Sequence, residues 1–231
     1  MFSTRQYIKE EMDNFETHGV LLHDSLNKLS FVNTFLGNTS ITLNAVKEVL
    51  KNEPQKIFHI IDLGCGAGDN LRAIAAWCFE NKRAVKLTGI DGNNHILSYA
   101  KQQKSEALIQ YKQADVLHDD FDLEPCDILI SSHFIYRFTD EELINFINRL
   151  SIKIENAIIF SELQRHVIPY SLFKSISSAL FFNKMMKRDG LKAIKNSFKR
   201  NELQHILKRI KVTSYRLEWK WAFRYLVTIK M

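Results

Sequence analysis

Ile60-Ile61-Asp62-Leu63-Gly64-Cys65-Gly66-Ala67-Gly68-Asp69-Asn70 is the stretch that decides the fold. An apolar run from Ile57 to Leu63 ends in a glycine loop flanked by acids, and a helix-like segment begins near Asn70. That order is strand, tight turn, helix. Glycine at 64, 66 and 68 lets the backbone approach a ligand where any Cβ would collide. A glycine triad alone is a weak signal, so its surroundings matter.

Working outward, Val85 to Ile90 reads as the next strand and ends in Asp91. Leu108 to Ala114 reads as a third strand and is closed by Asp115. Cys126 to Ser131 reads as a fourth and Ala157 to Ser161 as a fifth. Strands with polar tips, separated by helix-length stretches, predict a parallel sheet with its ligand at the carboxyl edge. A carboxylate at the tip of the second strand is where nucleotide-binding α/β folds hold a ribose hydroxyl pair.

Asp62-Leu63-Gly64-Cys65-Gly66-Ala67-Gly68, with Asp91 and Asp115-Val116, resembles the class I S-adenosylmethionine-dependent methyltransferases. The resemblance extends over roughly residues 20 to 231. It implies a Rossmann-like α/β fold: a seven-stranded, mostly parallel sheet with helices on both faces and a terminal antiparallel strand pair. It also implies S-adenosylmethionine as cofactor, with S-adenosylhomocysteine as product. On this reading Asp62 accepts from the donor's ammonium, while Gly64, Cys65, Gly66 and Gly68 pass its methionyl part. Asp91 and Gly92 meet the ribose, Asp115 and Val116 the adenine, and Ser131 ends the fourth strand beside the donor.

The chain has 231 residues, enough for one α/β domain with a sizeable core. At 45% hydrophobic and 25% charged it is ordinary for a soluble protein. No apolar run approaches the ~18 residues of a membrane span, and the first residues lack the apolar core of a signal peptide. Cys65, Cys78 and Cys126 have no metal-binding spacing, which predicts reduced thiols, a cytoplasmic location and no metal. The net charge is +6. Positive charge points to nucleic acid, an acidic carrier protein or an anionic membrane surface, or merely to a basic enzyme. It gathers after residue 164.

Residues 3 to 16 read as a polar helix, 24 to 36 as a second, and Thr39 or Ser40 caps a third running to Lys51. Residues 1–53 are therefore expected to form a helical cap before the methyltransferase domain at 54–231. Thr139 and Glu142 form a capping box at the head of a further helix. About thirty residues, 164 to 197, intrude after the fifth strand, far more than such a connection needs. This insert, expected to be a helical lid, holds seven Lys and Arg against the single acid Asp189. Ser197 to Ile206 reads as a helix, and Lys211 to Trp219 with Ala222 to Ile229 as the final strand pair.

Methyl transfer from a sulfonium is an in-line displacement that requires alignment in a dry site, and a base only if the nucleophile arrives protonated. Candidate catalytic residues are His133 and Tyr136, after the fourth strand, and His166, after the fifth. Histidine alone titrates near neutrality without help. Arg165 and Arg188 pair either with a substrate anion or with Glu162 and Asp189, and Phe35 is a candidate substrate contact.

A narrower resemblance rests on Leu29 to Gly37, Phe138-Thr139-Asp140-Glu141-Glu142-Leu143, Arg165-His166, Arg188-Asp189-Gly190 and Trp221 to Val227. These are similar to bacterial methyltransferases found with type III polyketide synthases and aryl-polyene pigment pathways. That implies methylation, in secondary metabolism, of a phenolic or polyketide-like ring on oxygen or carbon. The chain departs from those relatives at Tyr136-Arg137, where they carry a His-His pair, and at Arg188, where they favour histidine. Alternatives are an RNA methyltransferase and an enzyme for a carrier-bound or lipid-like, quinone-type acceptor. No Asn/Asp-Pro-Pro-Tyr motif follows the fourth strand, and DNA is not an expected partner.

Overall fold

The computed structural model describes residues 2–212 and 214–231. Seven strands form one sheet in the order β3-β2-β1-β4-β5-β7-β6. They are β1 (Phe58–Leu63), β2 (Val85–Asp91), β3 (Ile109–Gln113), β4 (Cys126–Ser132), β5 (Ile154–Leu163), β6 (Ser214–Lys220) and β7 (Arg224–Lys230). β1 to β5 pair in parallel, and β7 runs antiparallel to both β5 and β6. The expected sheet, with its antiparallel terminal pair, is the one observed.

Every residue of β1 is buried, because helices cover both faces of the sheet. Ile60, Ile128, Ile130 and Ile159 pack against α2 (Asn38–Leu50) and α3 (Asp69–Glu80). Their neighbours Ile61, Leu129, Ile158 and Phe160 pack against α5 (Asp140–Ser151) and α8 (Arg200–Arg209). The alternation of side chains along a strand divides these residues between two cores. The Thr139 capping box starts α5 as expected.

The N-terminal reading needs correction. Residues 3 to 16 form no helix; one 3₁₀ turn, Glu11–Asp13, interrupts a strap without regular structure. The strap's backbone is held by side chains from elsewhere. Asp189 accepts from the amides of Glu11 (2.8 Å) and Met12 (3.0 Å), and Asn196 takes both backbone groups of Ile8. Helix α1 begins at Val20, straight after Gly19, and runs to Phe35. Helix α2 lies against the sheet, with Ala45, Val46 and Leu50 in the same core as Phe58 and Ile60.

The insert folds as α6 (Val167–Ala179) and α7 (Lys184–Asn196), which pack on each other. The helix expected from Ser197 begins three residues later, at Arg200, and the first terminal strand begins at Ser214. Between β3 and β5 lies helix-free chain except α5 and the 3₁₀ turn Ile135–Arg137, while α4 (Asn94–Lys101) joins β2 to β3.

Candidate active site

Chain order reverses between β1 and β4, whose carboxyl ends therefore flank the natural crevice of a doubly wound sheet. A cavity of about 1480 Å³ opens there. Its floor comes from the tips of β1, β2, β4 and β7, and its walls from the strap, α1, α6 and α7.

The glycine loop supplies one end. Gly64, Gly66 and Gly68 all have positive φ, at 66°, 53° and 81°. A Cβ on Gly64 would strike the Phe134 ring at 2.4 Å, and one on Gly68 would strike the Tyr111 hydroxyl at 2.3 Å. Only above Gly66 is the space open, with nothing within 4 Å. Gly66 is thus the glycine that keeps room for a ligand, while its neighbours keep room for protein. The Cys65 thiol is buried against Gly89 and is held protonated by that burial.

Asp62 is 1% exposed, and neither carboxylate oxygen has a hydrogen-bond partner of normal geometry. The Asn70 amide donates instead to Ser132 Oγ, at 3.2 Å. Burial pushes the Asp62 carboxyl well above the usual carboxylate range; the neighbouring Asn70 amide pulls it back, and Asp91 and Asp69 push it further up. A buried acid without hydrogen-bond partners is costly to the fold. Asp91 accepts from Gly66 N (3.1 Å) and Asn93 N (3.0 Å); burial raises its pKa and these amides lower it. Gly92 lies beneath the Phe15 ring of the strap, which a Cβ would meet at 2.3 Å. Asp115 and buried Val116 line the cavity, and Asp115 caps the turn after β3 by accepting from Leu117 N. Ser131 does not line it; its hydroxyl donates to Leu63 O at 2.8 Å and so fixes the start of the glycine loop.

The other end lies over β4, β5 and β7. His133 sits in a left-handed conformation, φ 53°, with a buried, partnerless Nε2. Burial first, then the charges of Arg224 and Arg137, hold its pKa down at about 3. Glu162 secures the turn that follows: its Oε1 accepts from Phe134 N (2.9 Å) and Ile135 N (3.0 Å). Tyr136 lines the cavity, but its hydroxyl donates to Glu10 of the strap at 2.8 Å. Arg137 pairs with Glu10 and Asp13 and so ties the strap to the same turn. Phe35, three-quarters exposed, stacks on Phe31 at the cavity mouth.

Three residues expected at the site lie elsewhere. His166 is exposed, outside the cavity lining, and its Nδ1 accepts from Ile168 N as the cap of α6. Arg165 is fully buried and spends its guanidinium on Glu202, Ser197 O and Phe2 O. Its carboxylate partner is Glu202, not Glu162. Arg188 is exposed, also outside the lining, 3.4 Å from Glu11. The sequence does not single out Arg224 as a site residue, offers Glu162 only as an ion-pair partner, and casts the strap as a helix. Their signal was present only as an arginine opening an apolar strand and an acid closing one.

Residues 60–152 match the family described as "Methyltransferase domain". No curated protein sequence matches the chain. Among solved structures, the plantazolicin methyltransferase BpumL, in complex with a monoazolic desmethylPZN analog and SAH, superposes with a TM-score of 0.64. The two are 14% identical, over 89% of this chain and 88% of that one. Magnesium protoporphyrin IX methyltransferase (ChlM) from Synechocystis PCC 6803, with bound SAH, gives a TM-score of 0.57 at 14% identity, over 87% of each chain. The chain therefore has the fold of S-adenosylmethionine-dependent methyltransferases.

Proposed function

We propose that this protein transfers a methyl group from S-adenosylmethionine to a small acceptor, a flat phenolic or polyketide-like ring methylated on oxygen or carbon. One observation carries the reading. The two buried, partnerless oxygens of Asp62 stand behind a glycine loop whose only open position is Gly66. Those features suit a ligand that brings an ammonium group and needs close backbone approach.

When bound, the donor supplies an electrophilic methyl group on a sulfonium. Asp62 would accept from its ammonium, and Gly64, Cys65, Gly66 and Gly68 would shape the wall beside its methionyl chain. Asp91 keeps lone pairs free beyond the Gly66 and Asn93 bonds, which suits a ribose hydroxyl pair. Gly92, Asp115 and Val116 would enclose the base. The strap closes the site from outside, and α6 and α7, the insert at 164–197, form the lid that excludes water.

On the acceptor side His133 presents a neutral imidazole. Because burial holds it near a pKa of about 3, it serves as a hydrogen-bond acceptor and a weak base. Tyr136, bound to Glu10, is wall rather than proton carrier. The acceptor's nucleophile then arrives already ionised or intrinsically reactive.

A second reading, a lipid-like or carrier-borne acceptor, is favoured by one feature. Val167, Ile168, Leu172 and Ile176 of α6, with Leu180 and Phe181 just beyond it, all leave large apolar surface exposed. Calorimetry with S-adenosylhomocysteine tests the donor site. Product release against phenols, polyketide pyrones, quinones in vesicles and RNA tests the acceptor. Absence of donor binding would end the proposal, and turnover confined to RNA would replace its acceptor half.

A further inference from the structure

Among the described residues two arginines are buried, Arg165 and Arg224, and Arg137 and Arg5 are half-buried; of these four, all but Arg224 meet a carboxylate. Arg165 meets Glu202, Arg137 meets Glu10 and Asp13, and Arg5 meets Asp140. Arg224 is 1% exposed, yet among the described residues no carboxylate lies within ion-pairing distance of it. Its Nη1 donates to two backbone carbonyls, Ala222 O (3.1 Å) and Leu36 O (3.3 Å). Its Nε has no partner. A buried cation left with neutral partners costs several kcal/mol, and here burial alone holds the guanidinium down to about 10.

The location is informative. Arg224 opens β7, opposite Leu163 in the ladder, and both line the cavity. The turn that delivers it holds Ala222 and Phe223 at φ 60° and 57°, strained for residues with a Cβ, and both line the cavity too. His133, on the tip of β4, lies near enough to feel the guanidinium's charge, and its Nε2 is also buried without a partner. Two unpartnered polar atoms, Arg224 Nε and His133 Nε2, thus belong to residues that share the apolar half of the cavity. Nearby walls are Phe35, Leu36, Trp221 and Phe223. The donor-side groups, Asp62 and Asp91, belong to β1 and β2, on the far side of β4 and β5 from β7.

We propose that Arg224 docks an oxyanion of the acceptor, so that the substrate class is an apolar ring system bearing a carboxylate or an acidic enol or phenol, with a second hydroxyl reaching His133 Nε2. This deepens the reading above and rests on it for the word acceptor. The shared chemistry is an ionised oxygen in an aromatic frame. Arg137, the other cation on this side of the cavity, is already neutralised by Glu10 and Asp13; Arg224 is not, and a guanidinium fork suits a planar oxyanion.

The test uses three probes on the intact protein, each titrated by calorimetry with and without saturating S-adenosylhomocysteine. They are 2-naphthoate, the acidic enol 4-hydroxy-6-methyl-2-pyrone, and neutral methyl 2-naphthoate. Wild type should bind at least one ionised probe tenfold or more tighter than the ester. Arg224→Gln keeps a donor for the carbonyls and removes the charge; it should erase that preference and leave S-adenosylhomocysteine affinity within twofold. Arg224→Lys should keep part of it. Preference for the carboxylate or for the enol tells which source of the oxyanion is used. Equal binding of all three probes to wild type would overturn the proposal without any variant. So would unchanged anion preference in Arg224→Gln. A tenfold loss of S-adenosylhomocysteine affinity in that variant would assign the guanidinium to the donor's carboxylate and overturn it as well. A protein that binds the anions but no donor would sustain Arg224's role and refute the methyltransferase reading.

Discussion

Replacing Glu162 with Gln should flatten the pH dependence of stability. Glu162 is 0% exposed, its Oε1 serves the amides of Phe134 and Ile135, and its Oε2 has no partner. Burial pushes its carboxyl from 4.5 up to about 8, against the opposing pull of those two amides, Arg137 and Arg5. The folded state therefore binds a proton that the unfolded chain has released between pH 4.5 and about 8. In that window stability falls as pH rises, by about 1.4 kcal/mol per pH unit, and by on the order of 5 kcal/mol across it. The contribution is fully present below pH 4.5 and is gone above about 8. Glu10, raised by burial to about 7, has the same sign over a shorter window, but it is common to both proteins and cancels in their difference.

Gln is nearly isosteric, keeps the oxygen that both amides need, and cannot ionise. Urea denaturation of both proteins from pH 5 to 9 measures the effect. Near pH 5 the two should agree within about 1 kcal/mol. By pH 8 the variant should be the more stable by several kcal/mol, a difference bounded by the same 5 kcal/mol. Glu162→Ala, by contrast, orphans two buried amides at roughly 1–3 kcal/mol each and should be destabilised at every pH. Parallel pH curves for wild type and Glu162→Gln would refute the reasoning. A variant that loses ground as pH rises would show that the carboxylate is charged and paired.

Asp62→Asn should weaken S-adenosylhomocysteine binding at least tenfold by calorimetry while leaving urea stability unchanged or higher, since the buried acid has no partner to lose; equal affinity would remove Asp62 from the donor site. Gly66→Ala should cost about 1–2 kcal/mol for the left-handed backbone and abolish measurable donor binding, because its methyl group enters open space. Gly64→Ala should lose more stability, since it meets the Phe134 ring, and the reverse order in denaturation would contradict the packing. His166→Ala should cost about 1 kcal/mol of stability through the lost α6 cap and leave turnover within twofold; a tenfold fall in turnover would return it to the chemistry.

The sheet was legible because its information is local. Ile57 to Leu63, the glycine loop and Asp91 announce strand, turn and strand tip within a few dozen residues, and the period-two split of Ile60 and Ile61 between two cores follows directly. The Thr139 capping box was legible for the same reason, four residues settling one helix start. The strap was not. Tyr7, Ile8, Met12 and Phe15 have helical spacing, but the amides of Ile8, Glu11 and Met12 find their acceptors on Asn196 and Asp189, some 180 residues away. Tertiary partners of that kind override local propensity.

Arginines show where the limit lies. Arg165 and Arg224 both sit beside β-strand ends in the sequence, both are buried, and composition treats them alike. What separates them is the antiparallel register of β7 on β5, which carries Arg224 opposite Leu163 and into the cavity, while Glu202 at the head of α8 reaches Arg165. The acid that neutralises one is 37 residues downstream on another element, and no corresponding acid reaches the other among the described residues. A cation kept buried and unpaired is a cost that folding alone does not repay. Such local inconsistency is expected at sites that bind something, and that is the ground on which Arg224 is proposed to dock the acceptor.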